Sequence, residues 1–153
     1  MASEFAKRLK EDLIRDITAL GSLFSYLLLM LFFLVLNKYK VFIKLLIGFV
    51  LIYIATILIR LFYFKDRPKK YPHSSFIDGL DASSFPSLHA ERTSFLSLLL
   101  MNYFDNVLIS ILLILIVILV SFSRVYLKKH DKADVIAGLA IGALVYLVVD
   151  SVV

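Results

Sequence analysis

The chain has 153 residues, 61% of them hydrophobic, with a net charge of +5 and no cysteine. A soluble domain of this length sits nearer half apolar, and here the excess falls in blocks, so a single membrane-spanning domain is expected. The missing cysteine excludes disulfides and thiolate metal sites; in such a chain the positive charge is assigned to membrane lipids and topology, and no nucleic-acid partner is expected.

The opening "MASEFAKRLKEDLIRDITAL" lacks the apolar core and cleavage site of a signal peptide. Phe5, Leu9, Leu13 and Ile17 recur every four residues and share one helical face, with charged residues over the others. Residues 1–18 are therefore predicted to form an amphipathic helix lying at the membrane interface, ahead of a transmembrane domain over 19–153.

Five apolar blocks follow: Ala19 to Leu36, Val41 to Phe64, Leu88 to Phe104, Val107 to Phe122, and about Asp134 to Val153. The fold class is thus all-α, an integral membrane bundle of about five transmembrane helices plus the interfacial helix. Some blocks fall short of the ~20 residues that cross a bilayer core, so flanking residues or local thinning must cover the difference. The stretch "KDRPKKYPHSSFIDGLDASSFPS" holds all three prolines and reads as a loop; His73, Asp78 and Asp81 are simply loop residues. Five spans place this loop, the N-terminal helix and "SRVYLKKHDKAD" on one face, with 14 of the 17 lysines and arginines. The other face has Lys38, Lys40 and Lys44.

The polar residues of the rich face carry chemistry. Arg60 and Arg67 are seven apart, about two turns if the helix continues to Pro68, which would aim both the same way. Paired guanidiniums suit a phosphate as readily as they read as snorkelling and a topology signal, and for Arg67 alone the latter is the better reading. Ser87 and His89 stand where the third span begins. Ser87 can cap that helix or donate to an anion, and His89 can give a proton near neutral pH. Glu91 and Arg92 read as a local ion pair. Arg124 ends the fourth span. His130 and Asp134 are four apart, so on a helix the aspartate can accept from one ring nitrogen and leave the other free as a nucleophile or base. The set can hold a phosphate, attack it and protonate what leaves. There is no Walker loop, and no carboxylate cluster suggests an obligatory metal, so no cofactor is expected.

These segments resemble the three motifs of the type 2 phosphatidate phosphatase superfamily, membrane lipid phosphatases related to vanadium haloperoxidases. The first motif, lysine, six residues, Arg-Pro, is met by Arg60 with Arg67-Pro68. The second, Pro-Ser-Gly-His, is met by "PSLH" from Pro86 to His89. The third, Ser-Arg, a spacer, His, three residues, Asp, is met in full by Ser123, Arg124, His130 and Asp134. The resemblance covers about Val41 to Val153. It implies metal-independent phosphoryl transfer: His130 attacks phosphorus, Asp134 orients it, and His89 protonates the leaving group. Arg60, Arg67, Ser87 and Arg124 would hold the phosphate oxygens. The implied partner is a lipid phosphate, with polyprenyl diphosphate favoured over phosphatidate and phosphatidylglycerol phosphate.

Arg60 replaces the family lysine, and Leu88 replaces the glycine, adding a side chain where the backbone would approach phosphate. Six spans are common in the family, and the interfacial helix can stand in for the missing one. The rival readings are a lipid-phosphate binder that has lost turnover, and a small transporter, which would line a path across the bilayer with charges. The positive-inside rule puts the rich face in the cytoplasm, whereas the resemblance implies an extracytoplasmic site.

Overall fold

The computed structural model describes residues 2–68 and 82–153; His73, Asp78 and Asp81 lie outside them. Six long helices follow in order: α1 (Ala2–Ala19), α2 (Leu23–Val35), α3 (Tyr39–Phe62), α4 (Leu88–Phe104), α5 (Val107–Tyr126) and α6 (Lys132–Val152). There is no strand among the described residues. Helices α3, α5 and α6 are each long and apolar enough to cross a membrane, and α1 with α2, bent by 46°, makes a fourth only if the bent pair is taken as one span. The protein is an integral membrane helical bundle, as expected.

The first apolar block is divided differently from the expectation. α1 runs to Ala19, and Ser22 caps a new helix by accepting from the Ser25 N–H at 3.2 Å. This leaves α2 with 13 residues, too few to span alone. α1 packs on α5 through buried Ile14, a Thr18 hydroxyl that donates to Ser123, and Lys10 over the Tyr126 ring. Its Phe5, Leu9 and Leu13 stay exposed on one side. α1 therefore leaves an apolar stripe on the outside of the bundle.

α4 is the axle of the bundle. It is buried from Ala90 to Ser97, and it packs against α3, α5 and α6. Phe95 stacks on Tyr26 of α2 with ring centroids 6.2 Å apart, and Gly48 of α3 leaves room for the Phe95 ring. Tyr26 is fully buried, and its hydroxyl donates to the Leu45 carbonyl at 2.8 Å. Leu45, Ile52, Leu99 and Val149 belong to the same core.

The tightest seam joins α4 to α6. Gly138 and Gly142 of α6, one turn apart, lie against the α4 backbone. A Cβ at 138 would stand 2.6 Å from the Ser87 carbonyl oxygen, and one at 142 would meet the carbonyl of Glu91. With no hydrophobic drive between helices in lipid, this close approach of small residues is what holds such a pair. Ser94 Oγ adds a hydrogen bond to the Leu139 carbonyl at 2.9 Å. Gly138→Val is expected to lower the melting temperature in detergent, by an overpacking cost on the order of 1–3 kcal/mol. Leu144→Val, on the exposed side of α6, is expected to leave it unchanged.

Candidate active site

The C-terminal end of α3, the start of α4, the end of α5 and the start of α6 meet at one end of the bundle, with the segment 63–68 laid across them. Arg60, Ser87, Arg124, His130 and Asp134 are all buried there, and His89 is partly buried.

Arg67 arrives by a route other than the one its spacing predicts. α3 stops at Phe62, and its cap residue Tyr63 is extended, with φ −138° and ψ 95°. The Tyr63 ring packs edge-on to Phe85 at 5.3 Å. The chain from 63 to 68 then runs beside residues 83–85: Ser84 N–H donates to the Lys65 carbonyl at 2.7 Å, and Ser84 Oγ donates to the Asp66 carbonyl at 3.2 Å. Arg67 is therefore delivered by an extended segment, while Arg60 stays in the last turn of α3 and donates to the Pro86 carbonyl at 3.2 Å.

At α4, Ser87 is the N-cap residue, but its hydroxyl makes no capping bond and is buried without a hydrogen-bond partner among the described residues. Its backbone N–H donates to the Asp134 carbonyl at 3.1 Å, which ties the starts of α4 and α6 together. A buried hydroxyl at a helix start, among arginines, is well placed to donate to an anion. Leu88, where the motif has glycine, begins α4 in ordinary right-handed conformation and packs on the hydrophobic core. It neither needs glycine's freedom nor points wholly into lipid.

His89 lies one residue further on. Arg92 approaches its Nδ1 at 3.5 Å and donates to the Tyr53 hydroxyl at 3.0 Å. A guanidinium has only donors, so this contact favours a lone pair on Nδ1 and the ring proton on Nε2. Glu91, fully buried, accepts from Thr56 Oγ1 at 2.7 Å. Glu91 and Arg92 thus belong to a polar layer beneath the site that also includes Tyr53 and Thr56 of α3.

α5 ends in a turn in which Lys128 takes a left-handed conformation, φ 52°. The N–H groups of Lys129 and His130 fold back onto the Arg124 carbonyl, at 3.1 and 3.3 Å. This brings His130, 3% exposed, into the bundle end, where its Nδ1 meets the Ser84 carbonyl at 2.6 Å. A carbonyl only accepts, so Nδ1 carries the proton and Nε2 keeps its lone pair. Burial, followed by Arg124, pushes the His130 pKa down to about 3, with Arg67 and Arg60 acting the same way against the Ser84 bond.

Asp134 is 3.8 Å from His130 Nδ1, beyond hydrogen-bond distance. The spacing reading, in which Asp134 accepts from the ring, is corrected here because α6 begins only at Lys132 and His130 lies outside it. Asp134 instead closes a capping box with Asp131, accepting from the Asp131 N–H at 3.1 Å while Asp131 accepts from its own at 3.0 Å. Its other oxygen takes Lys65 Nζ at 2.6 Å, and Lys65 also pairs with Asp131. Burial opposes the Lys65 ammonium, but these two bonds outweigh it and its pKa is raised; Lys65 in turn holds the Asp131 carboxyl below its usual range.

Lys65 and Ser84 were not singled out from the sequence. Both act through contacts with chain segments remote in sequence, and the only local hint is their position in the polar stretch that surrounds the first two motifs.

The geometry brings all three motifs to one end, and comparison with known proteins agrees. A sequence model of the PAP2 superfamily matches residues 41–153. The chain belongs to this superfamily. It is accordingly a phosphoric ester hydrolase of the membrane lipid phosphatase family. Among solved structures, the fold is shared with a transmembrane PAP2 type phosphatidylglycerolphosphate phosphatase from Bacillus subtilis, at 22% identity and TM-score 0.74, over 94% of this chain and 76% of that one. It is shared equally with LpxE of Aquifex aeolicus, at 20% identity and TM-score 0.75, over 94% of this chain and 86% of that one.

Two outcomes follow from the geometry. Because Ser84 rather than Asp134 holds the His130 ring, Asp134→Asn is expected to reduce kcat by well under the roughly 10²–10⁴-fold of an acid–base role, measured beside His130→Ala, which should have no turnover. Because the folded pKa of His130 lies below the ordinary value near 6.5, the unfolded chain binds a proton between about 3 and ~6.5 that the folded chain does not. Stability should therefore fall as pH drops through that window. Histidine NMR in detergent should show a ring that stays neutral to about pH 4 and whose signal is lost in His130→Ala.

Proposed function

We propose that the chain hydrolyses the phosphate or diphosphate of a membrane lipid at this end of the bundle, with no obligatory metal, through a phosphohistidine. The single observation that carries the reading is the His130 ring. Its Nδ1–H is held by the Ser84 carbonyl, and its low pKa leaves Nε2 as an uncharged nucleophile at neutral pH.

In the first step the Nε2 lone pair of His130 attacks phosphorus, and the bond from phosphorus to the lipid oxygen breaks. His89 presents Nε2–H to that oxygen. The negative charge of the bound phosphate has to offset the neighbouring guanidiniums, Arg92 among them, for the ring to take up a proton, and the protonated ring gives that proton to the departing oxygen. In the second step water attacks phosphorus, His89 takes a proton from it, and the bond from phosphorus to His130 breaks to free phosphate. Arg60, Arg67 and Arg124, with the Ser87 hydroxyl, hold the non-bridging oxygens and stabilise the charge of the transition state. Asp134 acts at one remove: with Lys65 and Asp131 it fixes the start of α6, and its carbonyl fixes Ser87.

Polyprenyl diphosphate is the favoured substrate, since an apolar tail can lie in the bilayer while the site takes the diphosphate with little need to read a larger head group. Phosphatidate and phosphatidylglycerol phosphate are the competitors, and the latter is what one structural neighbour is named for. The site is assigned to the extracytoplasmic face, as in the family, with α1 lying along that interface.

Purified protein should release phosphate from polyprenyl diphosphate faster than from phosphatidate or phosphatidylglycerol phosphate. EDTA should leave the rate intact, and His130→Ala should abolish it. Phosphate release that persists in His130→Ala would refute the nucleophile. Lipid binding without release in the wild type would instead establish a non-catalytic binder.

A further inference from the structure

At the opposite end of the bundle, the start of α3 and the ends of α4 and α6 enclose a cavity of about 600 Å³. The 24 residues of α3, roughly 36 Å at 1.5 Å each, separate it from the histidines. Lys38, Lys40 and Lys44 all line it, and they are the basic residues of that end among those described. One is already balanced: Lys44 Nζ bonds the Asp150 carboxylate at 2.6 Å, and the Asn102 amide donates to the same oxygen at 3.2 Å. Asp150 is the only carboxylate lining the cavity among the described residues, so Lys38 and Lys40, both exposed, leave it with an excess of positive charge.

Two further features fix the kind of ligand. Lys38 precedes the first turn of α3 without giving it a side-chain cap, so the free N–H groups of that turn add to the positive potential. Below the lysines the lining turns apolar and aromatic, with Val41, Leu99 and Tyr103. A cationic mouth over apolar walls, at the depth where tyrosines gather in membranes, matches an amphiphile with an anionic head. A water-soluble phosphate would satisfy the lysines but not the walls.

We propose that this cavity is a second, non-catalytic site that holds the phosphate of an anionic glycerophospholipid from the leaflet opposite the catalytic end. Lys38 and Lys40 take the phosphate oxygens, and the acyl chains descend past Val41 and Leu99. The lipid would bridge three helices, α3, α4 and α6, whose other ends carry Arg60, His89 and Asp134.

The test uses the full chain in neutral detergent, titrated with short-chain phosphatidylglycerol, phosphatidylcholine or inorganic phosphate, with bound lipid counted by native mass spectrometry. Phosphatidylglycerol is expected to bind about tenfold or more tighter than phosphatidylcholine. A lysine near an anionic lipid is worth about a factor of five, so Lys38→Gln with Lys40→Gln should weaken it about thirtyfold. Lys10→Gln with Lys132→Gln, at the catalytic end, should leave it unchanged. Should the first pair fail to fold, as judged by helical content, Lys40→Gln alone is expected to weaken binding about fivefold. Equal binding of the two lipids, equal loss in both paired variants, no loss in Lys40→Gln, or displacement of phosphatidylglycerol by an equal concentration of inorganic phosphate would each overturn the proposal.

Discussion

The hydrogen bond from His130 to the Ser84 carbonyl is the constraint on which the site depends. A buried carbonyl needs a donor, and a buried imidazole can supply one from only one nitrogen while it remains neutral. Meeting both needs at once selects the ring's tautomer and fixes its plane. Ser84 is itself held by the Lys65 and Asp66 carbonyls, so the segment carrying the first motif, the approach to the second and the histidine of the third share one residue. The two neutral rings favour opposite tautomers, because their Nδ1 atoms meet opposite chemistry: a carbonyl that only accepts for His130, a guanidinium that only donates for His89.

Electrostatics explains why so much positive charge can gather at a helix-bundle end. Arg60 and Arg124 are buried, yet each belongs to the last turn of its helix, where the negative end of the dipole favours a cation. Lys65 is balanced by Asp131 and Asp134, which lie in the first turn of α6 or just before it, where carboxylates are favoured. The charges are thus partitioned by helix polarity. Cations at C-terminal ends gather at the end of the bundle where the three motifs meet, and anions at an N-terminal end secure the loop that delivers His130.

The sequence exposed the larger pattern well. Apolar blocks separated by short polar turns gave the helices and their order, and the expected alternation of five spans placed the two polar loops on one face. The residues of the motifs were legible because their chemistry is rare inside lipid. What could not be read was backbone geometry. The interval from Arg60 to Arg67 suits two helical turns, but the chain leaves the helix at Tyr63 to run beside Ser84. The interval from His130 to Asp134 suits one turn, but helix α6 starts between them. "DKAD" carried a local signal for that start, since an acid three residues after an acid is able to form a reciprocal cap. The pair Gly138 and Gly142 carried another, for the close seam with α4. Lys65 and Ser84 had none, because their partners are distant along the chain.

That seam has a consequence for how the molecule tolerates its surroundings. Ser87 and His89 ride at one end of α4, and Asp134 rides on α6; Gly138 and Gly142 leave no slack for these helices to slide past each other. The seam therefore works as a gauge block, setting from within the hydrocarbon layer the spacing of the motif residues at the end of the bundle. A bilayer of different thickness can tilt the pair as one body without changing that spacing, and the bend between α1 and α2 is the joint where the misfit can be absorbed.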